Sequence, residues 1–260
     1  MNRSPIKPTK EIKTALKIYP NGMCELRVYK EPIFVAEKGW ETDDPNFPIQ
    51  EYSDFDTDLE NKLRSIRRTK QMVKDYVLSN DFDMFWTLTY ATNRESDTDC
   101  IKRLKRWIKR KREKYGKFSY IVIPERHKNG CLHFHMLTKD YKGSIVDSGK
   151  KNKRGQIIYN ADSWSHGFST VVEINGGIED VSKVASYVTK YITKQIDDIH
   201  FGKNARRYWS SKGLLKPKMC NNVGVVTTHL GKVFEKGNLE IYQFKYSDVF
   251  GQFKFNDIIA

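Results

Sequence analysis

The chain has 260 residues, 38% of them hydrophobic and 13% aromatic, enough for one elaborated domain, or a main domain with an appendage, and too much for a disordered tail. Its formal net charge of +14 points to a polyanionic partner, nucleic acid first. No run of about 18 apolar residues is present, which excludes a spanning helix, and the absence of G-x-x-x-x-G-K-[ST] excludes a P-loop motor. Cys24, Cys100, Cys131 and Cys220 form no C-x-x-C pair and fit no zinc module, so they read as reduced thiols. Residues 1–13 lack the apolar stretch of a signal peptide. The expectation is a protein at work in the cytoplasm, with no membrane partner.

Taken in chain order, residues 1–10 read as a loose arm. Residues 12–29 read as a hairpin around Pro20-Asn21-Gly22. Residues 38–56 are acidic, carry Pro45 and Pro48, and read as a loop or linker. The spacing of Leu59, Leu63, Ile66, Met72, Val73 and Val77 predicts a helix over 57–79, opened by a capping box of Thr57 and Glu60. Residues 83–90, aromatic and β-branched, predict a strand. Ser96 and Asp97 can cap a helix running to about residue 115. Strands follow at 118–124 and 132–137, joined by a turn over 127–130; residues 142–154, polar throughout, read as a loop. A further strand at 170–174 ends at Gly176-Gly177. A helix over 178–195 opens with Glu179 and Asp180, and short strands follow a basic, aromatic stretch at 206–216. The pattern predicts an α+β fold, a central antiparallel sheet with helices packed on it. It divides as an N-terminal hairpin and linker (1–56), a main domain (57–216) and a C-terminal β-rich extension (217–260).

Two constellations carry chemistry. In Leu132-His133-Phe134-His135-Met136, strand alternation sends both imidazoles to one face, while the apolar residues face the core. Such a pair is half a metal site, expected to open towards solvent; the alternative is two surface histidines on an amphipathic strand. A hard-oxygen third ligand would suit Mg2+ or Mn2+. Glu125, folded back by the 127–130 turn, is the candidate, with His127 a weaker competitor. The second constellation is Tyr187-Val188-Thr189-Lys190-Tyr191-Ile192-Thr193-Lys194. Tyr187 and Tyr191 lie one helical turn apart, about 6 Å along the axis. Lys190 and Lys194 each follow a tyrosine by three positions, where a cation favours the phenolate and can hold a phosphate oxygen. Both tyrosines can equally belong to an apolar face with Val184, Val188 and Ile192.

Together, H-hydrophobic-H followed downstream by Y-x-x-K resembles the HUH endonucleases, the family of rolling-circle replication initiators. Thr87-Leu88-Thr89 looks like that family's first motif and His133-Phe134-His135 like its metal motif, with Glu125 where many members carry a further ligand. The doubled Tyr-x-x-Lys is similar to the two-tyrosine initiators of small single-stranded DNA phages. The stretch from Arg207 to Leu214 resembles a segment that follows the catalytic helix in phage and plasmid replication proteins. The resemblance spans roughly residues 82–216 and implies an RRM/ferredoxin-like sheet in a bacterial host. It also implies a divalent ion on His133, His135 and Glu125, and attack by a tyrosine on single-stranded origin DNA. A 5′-phosphotyrosine and a free 3′-OH would result, with helicase and polymerase supplied by the host and no small-molecule cofactor. Tyr191 is favoured as first nucleophile, Tyr187 serving a second cleavage or assisting. A relaxase or transposase of the same superfamily, a metal nuclease that activates water, and a non-catalytic DNA-binding regulator are the alternatives.

The helix over 97–115 is nearly an unbroken run of cations, among them Lys105, Arg106, Lys109 and Arg110, and is expected to contact phosphates; a solubilising face is the other reading. Trp107 and Ile108 are expected to anchor it. Arg207, Tyr208 and Trp209 combine cations with flat rings suited to stacking on unpaired bases, or else belong to the core.

Overall fold

The computed structural model describes residues 9–36, 54–91, 96–127, 130–174, 178–198, 207–224 and 230–250; for residues 9, 35–36, 54–60, 178–180, 193–198 and 250 it describes the backbone alone. The acidic stretch read as a linker, the Gly176-Gly177 stop and the N-terminal arm to residue 8 lie outside the described residues. The chain forms two compact units, residues 60–215 and the two ends, 1–59 with 216–260.

In the unit built from the ends, β1 (Thr9–Ile18) and β2 (Met23–Ala36) form the predicted hairpin. Its turn is closed by Tyr19 N donating to Met23 O at 2.8 Å, with Gly22 at φ +80°. In the other unit, α1 (Asp54–Ser79) begins three residues before Thr57, so Thr57 is inside the first turn rather than at its cap. Ile66, Val73 and Val77 bury one face of α1, as their spacing predicts. Next come β3 (Met84–Thr89), α2 (Asp97–Tyr115), β4 (Ser119–Arg126) and β5 (Leu132–Lys139). Ser96 caps α2, its hydroxyl accepting from Asp99 N at 3.1 Å.

The predicted loop over 142–154 is corrected. It contains β6 (Val146–Lys151), which pairs with β7 (Ile157–Asn160) around a turn. β6 is an edge strand exposed along almost its whole length, and its register shifts between Asp147 and Lys150, so no apolar alternation marks it. β8 (Ser169–Glu173) and α3 (Ile178–Asp198) follow, then β9 (Trp209–Ser210). β10 (Lys218–Asn221), β11 (Lys232–Lys236), β12 (Leu239–Lys245) and α4 (Tyr246–Phe250) return to the first unit.

Both sheets are antiparallel among the described residues. The end unit's sheet runs β10-β1-β2-β12-β11, its core formed by Leu16, Ile18, Cys24, Leu26, Tyr242 and Tyr246. Burial pushes the Cys24 thiol up to about 12, and all four cysteines are thiols, as the sequence implied. The other sheet runs β6-β7-β8-β3-β5-β4-β9. At its centre β3 lies between β8 and β5, the split order of a ferredoxin-like sheet.

Strand alternation divides this sheet into two faces. One carries Trp86, Leu88, Val122, Phe134, Met136 and Val171, all buried, and α2 packs on it through Leu104, Trp107 and Ile108. Each such side chain contributes roughly 1.5–3 kcal/mol by leaving water. Trp86, fully buried, also donates its Nε1–H to Thr138 Oγ1 at 2.8 Å. Arg126 ties the end of β4 to the start of α2 through Asp97, and its Nη1 donates to Gly130 O at 2.8 Å. The opposite face carries Phe85, Thr87 and Thr89 on β3, Glu125 on β4, and His133 and His135 on β5, beneath α3.

Candidate active site

Register brings the residues together. On β5, His133 stands opposite Thr89 of β3 on one side and Glu125 of β4 on the other; His135 stands opposite Thr87 and Ile123. Residues two apart on neighbouring strands therefore make a compact patch: two threonines, two imidazoles, one carboxylate. Each threonine hydroxyl meets the nearer imidazole at its Nδ1, Thr87 to His135 and Thr89 to His133, both at 3.4 Å. These long contacts turn both Nε2 atoms away from β3. His135 Nε2 meets Glu125 Oε2 at 2.8 Å. The threonines' part was legible only as a motif resemblance; the signal for it was their i, i+2 spacing on a strand beside another i, i+2 pair.

Burial lowers the His133 pKa to about 4, helped by His127 and His135 and opposed by Glu125. The imidazole is therefore neutral near pH 7, the form that ligates metal. His127 stacks on His133 at 4.7 Å between centroids. Two neutral imidazoles with a carboxylate are a donor set suited to a divalent ion. Among the described residues, no group of three or more His, Cys, Asp or Glu side chains is gathered closely enough to hold a metal ion. The contact present is the two-member one, His135 with Glu125.

The expectation of a face open to solvent is corrected. α3 covers it: Tyr191 stacks on His135 with centroids 4.0 Å apart and planes at 18°, and His135 is only 4% exposed. Both tyrosines point to the sheet, as their four-residue spacing allows, with ring centroids 4.9 Å apart and edge to face. They differ in access. Tyr191 is buried, whereas Tyr187 is 49% exposed and lies 6.1 Å from His135 and 5.6 Å from Phe85. Burial raises the Tyr191 pKa well above the ordinary phenol value, followed by a side-chain hydrogen bond with Tyr187 and the charge of Glu125. The lysine-assisted lowering expected from sequence is thus outweighed at Tyr191 by desolvation. Lys190 is exposed on α3; the side chain of Lys194 lies outside the described residues. Val188 and Ile192 are buried beside the tyrosines, so the apolar face of α3 and the tyrosine pair are one surface rather than rival readings.

The cations of α2 lie on the sheet's other side. Lys105, Arg106, Lys109 and Arg110 are exposed, while Trp107 and Ile108 anchor the helix as expected. Lys105 Nζ stands 5.2 Å from the centre of the Trp209 ring. Trp209 is half-buried against the α2-side core, 6.5 Å from Phe134. Tyr208 packs at 6.3 Å on Tyr76 of α1, and Arg207 is half-buried.

Comparison with known families gives one match, and it falls on this unit: residues 83–196 match the model of the Replication-associated protein ORF2 family. No curated protein and no solved structure matches the chain. The matched stretch runs from the start of β3 into the last turns of α3, and so contains both imidazoles, Glu125 and both tyrosines. Over residues 83–196 the chain is a member of the Replication-associated protein ORF2 family.

Proposed function

We propose that this protein initiates rolling-circle replication by nicking single-stranded origin DNA with Tyr191, leaving a 5′-phosphotyrosine and a free 3′-OH. One observation carries the reading: the Tyr191 ring lies on the same imidazole, His135, that Glu125 contacts, so residues far apart in the chain converge on one point. The endonuclease domain in this reading is residues 57–216, with residues 1–56 and 217–260 as additions; the compact unit over residues 60–215 supports it.

His133, His135 and Glu125 would hold Mg2+ or Mn2+, which supplies positive charge against the scissile phosphate when bound. Thr87 and Thr89 hold the Nδ1 sides of the imidazoles and leave each Nε2 for that role. Tyr191 Oη attacks phosphorus, the bond from phosphorus to the 3′ oxygen breaks, and that oxygen takes a proton from solvent. The Tyr191 proton leaves by way of the hydroxyl of Tyr187, its hydrogen-bonding neighbour. Tyr187, the more exposed phenol, serves a second cleavage. Lys190 and Lys194 hold non-bridging oxygens of the substrate. The phosphotyrosine keeps the energy of the broken bond, so rejoining needs no ATP, in keeping with a chain without a P-loop motif. Helicase and polymerase are then the host's.

The test is a denaturing gel after incubation with single-stranded origin DNA and Mn2+. The wild-type chain should form a covalent adduct, and Tyr191→Phe should lower it by about 100-fold or more. An undiminished adduct in that variant refutes Tyr191 as first nucleophile. Binding without any cleavage identifies a regulator, and cleavage without adduct a nuclease that activates water.

A further inference from the structure

Beside Tyr187, on the same face of the sheet, lies a cleft of about 610 Å³ that the nicking chemistry does not use. Its volume falls within the roughly 300–1,000 Å³ typical of small-ligand pockets. One wall is aromatic: Phe85 from β3 and Tyr187 from α3, edge to face at 5.6 Å. The opposite wall is cationic: Lys153 and Arg154 from the β6–β7 turn, with Lys183 from the first turns of α3. Glu173 also lines it, one carboxylate against three cations.

The turn bearing the cations is braced. Asn152 Oδ1 accepts from Arg154 N at 2.8 Å and from Gln156 N at 3.1 Å, and Gly155 N donates to Asn152 O at 2.9 Å. Gln156 Nε2 donates to the Glu173 carbonyl at 3.1 Å, which ties the turn to β8. The Lys153 and Arg154 backbone is therefore fixed opposite the rings before any ligand arrives.

Flat rings facing a row of cations match a nucleotide, a base with a phosphate on either side. A small inorganic anion would have no use for the rings, and an apolar ligand none for the cations. We propose that this cleft binds one nucleotide of single-stranded DNA adjacent to the scissile phosphate, its base against Phe85 and Tyr187 and its phosphates on Lys153, Arg154 and Lys183. Only the position relative to the cut rests on the nicking reading; the nucleotide-binding cleft does not. The exposed Tyr187 joins the two, since its ring forms the wall of the cleft and the edge of the tyrosine pair. The β6–β7 hairpin thereby acquires a role, to aim the DNA strand at the tyrosines.

The test uses the full chain and a fluorescein-labelled oligothymidylate of about 12 nucleotides, read by anisotropy without divalent metal. Lys153→Gln with Arg154→Gln changes only exposed turn side chains. It should weaken binding about 5- to 10-fold near 0.1 M salt and reduce the log–log salt slope by about 1.4, two single-strand phosphate contacts. In parallel, an oligonucleotide carrying 5-iododeoxyuridine is photocrosslinked to the wild-type chain and the peptide mapped; the adduct should fall on Phe85 or Tyr187. Wild-type affinity and slope in the double variant, or crosslinks confined to other segments, overturn the proposal. A missing phosphotyrosine adduct with these two results intact sinks the nicking reading and leaves the cleft. A normal adduct with unchanged affinity sinks the cleft alone.

Discussion

Thr89 holds the His133 imidazole, so the end of β3 has to be held in turn. Thr89 N donates to Phe168 O at 2.8 Å, Ala91 N to His166 O at 3.0 Å, and Trp164 Nε1 to Thr89 O at 3.0 Å. Between these contacts lies Gly167, at φ +153°, where a Cβ would meet Thr89 O at 2.3 Å and Ala91 N at 2.6 Å. The obstacles are backbone atoms on both sides and cannot swing away. Gly167→Ala is expected to cost about 1–3 kcal/mol of stability, read as a lower urea midpoint at unchanged m. It should also weaken Mn2+ binding about 10-fold, because displacing Thr89 loosens the imidazole it orients. A variant with the wild-type midpoint would show that the loop can move aside.

Among the elements, α2 shows how one helix serves two surroundings. Cys100, Ile101, Leu104, Trp107 and Ile108 recur at helical spacing and are buried, while the cations fill the remaining arc. Lys109 and Arg110 are exposed, and Lys109 pairs with Glu113 at 3.7 Å, a surface contact worth little. Lys109→Gln with Arg110→Gln should therefore leave stability within about 0.5 kcal/mol of wild type. If α2 contacts phosphates, the same variant lowers the salt slope of single-stranded DNA binding by about 1.4. An unchanged slope would make this arc a solvated face. β6 shows the opposite case: nothing buries either of its faces, so its sequence carries no strand pattern although its backbone pairs along β7.

Across the whole molecule, residues from the two ends of the chain complete one sheet. β2 pairs with β12 from Tyr29↔Leu239 to Met23↔Lys245, although nearly the whole chain separates them in sequence. Tyr242 lies in that joint, 7% exposed, packed with Leu16, Leu26 and Cys24, its hydroxyl donating to Glu240 Oε2 at 2.7 Å. Tyr242→Ala is expected to cost about 3–5 kcal/mol. Amide protection in β1, β2 and β12 should fall together in hydrogen exchange, because these strands share one core. Loss confined to β12 would mean that the hairpin holds itself.

The sequence by itself determined the local elements and the chemistry of the site. Alternation on β5 put both imidazoles on one face, a four-residue spacing put both tyrosines on one side of α3, and Ser96 set where α2 starts. These are properties of neighbouring residues, governed by periods of 2 and 3.6. Tertiary structure alone decided what lies opposite what. It covered the imidazoles with α3 rather than leaving them to solvent, made Tyr191 buried and Tyr187 open, and set Thr87 and Thr89 behind the imidazoles. It also turned the β6–β7 cations towards Phe85 and joined the chain's ends in one sheet. Such outcomes depend on strand order and register across long separations, where burial on both faces selects one pairing and no local pattern records which.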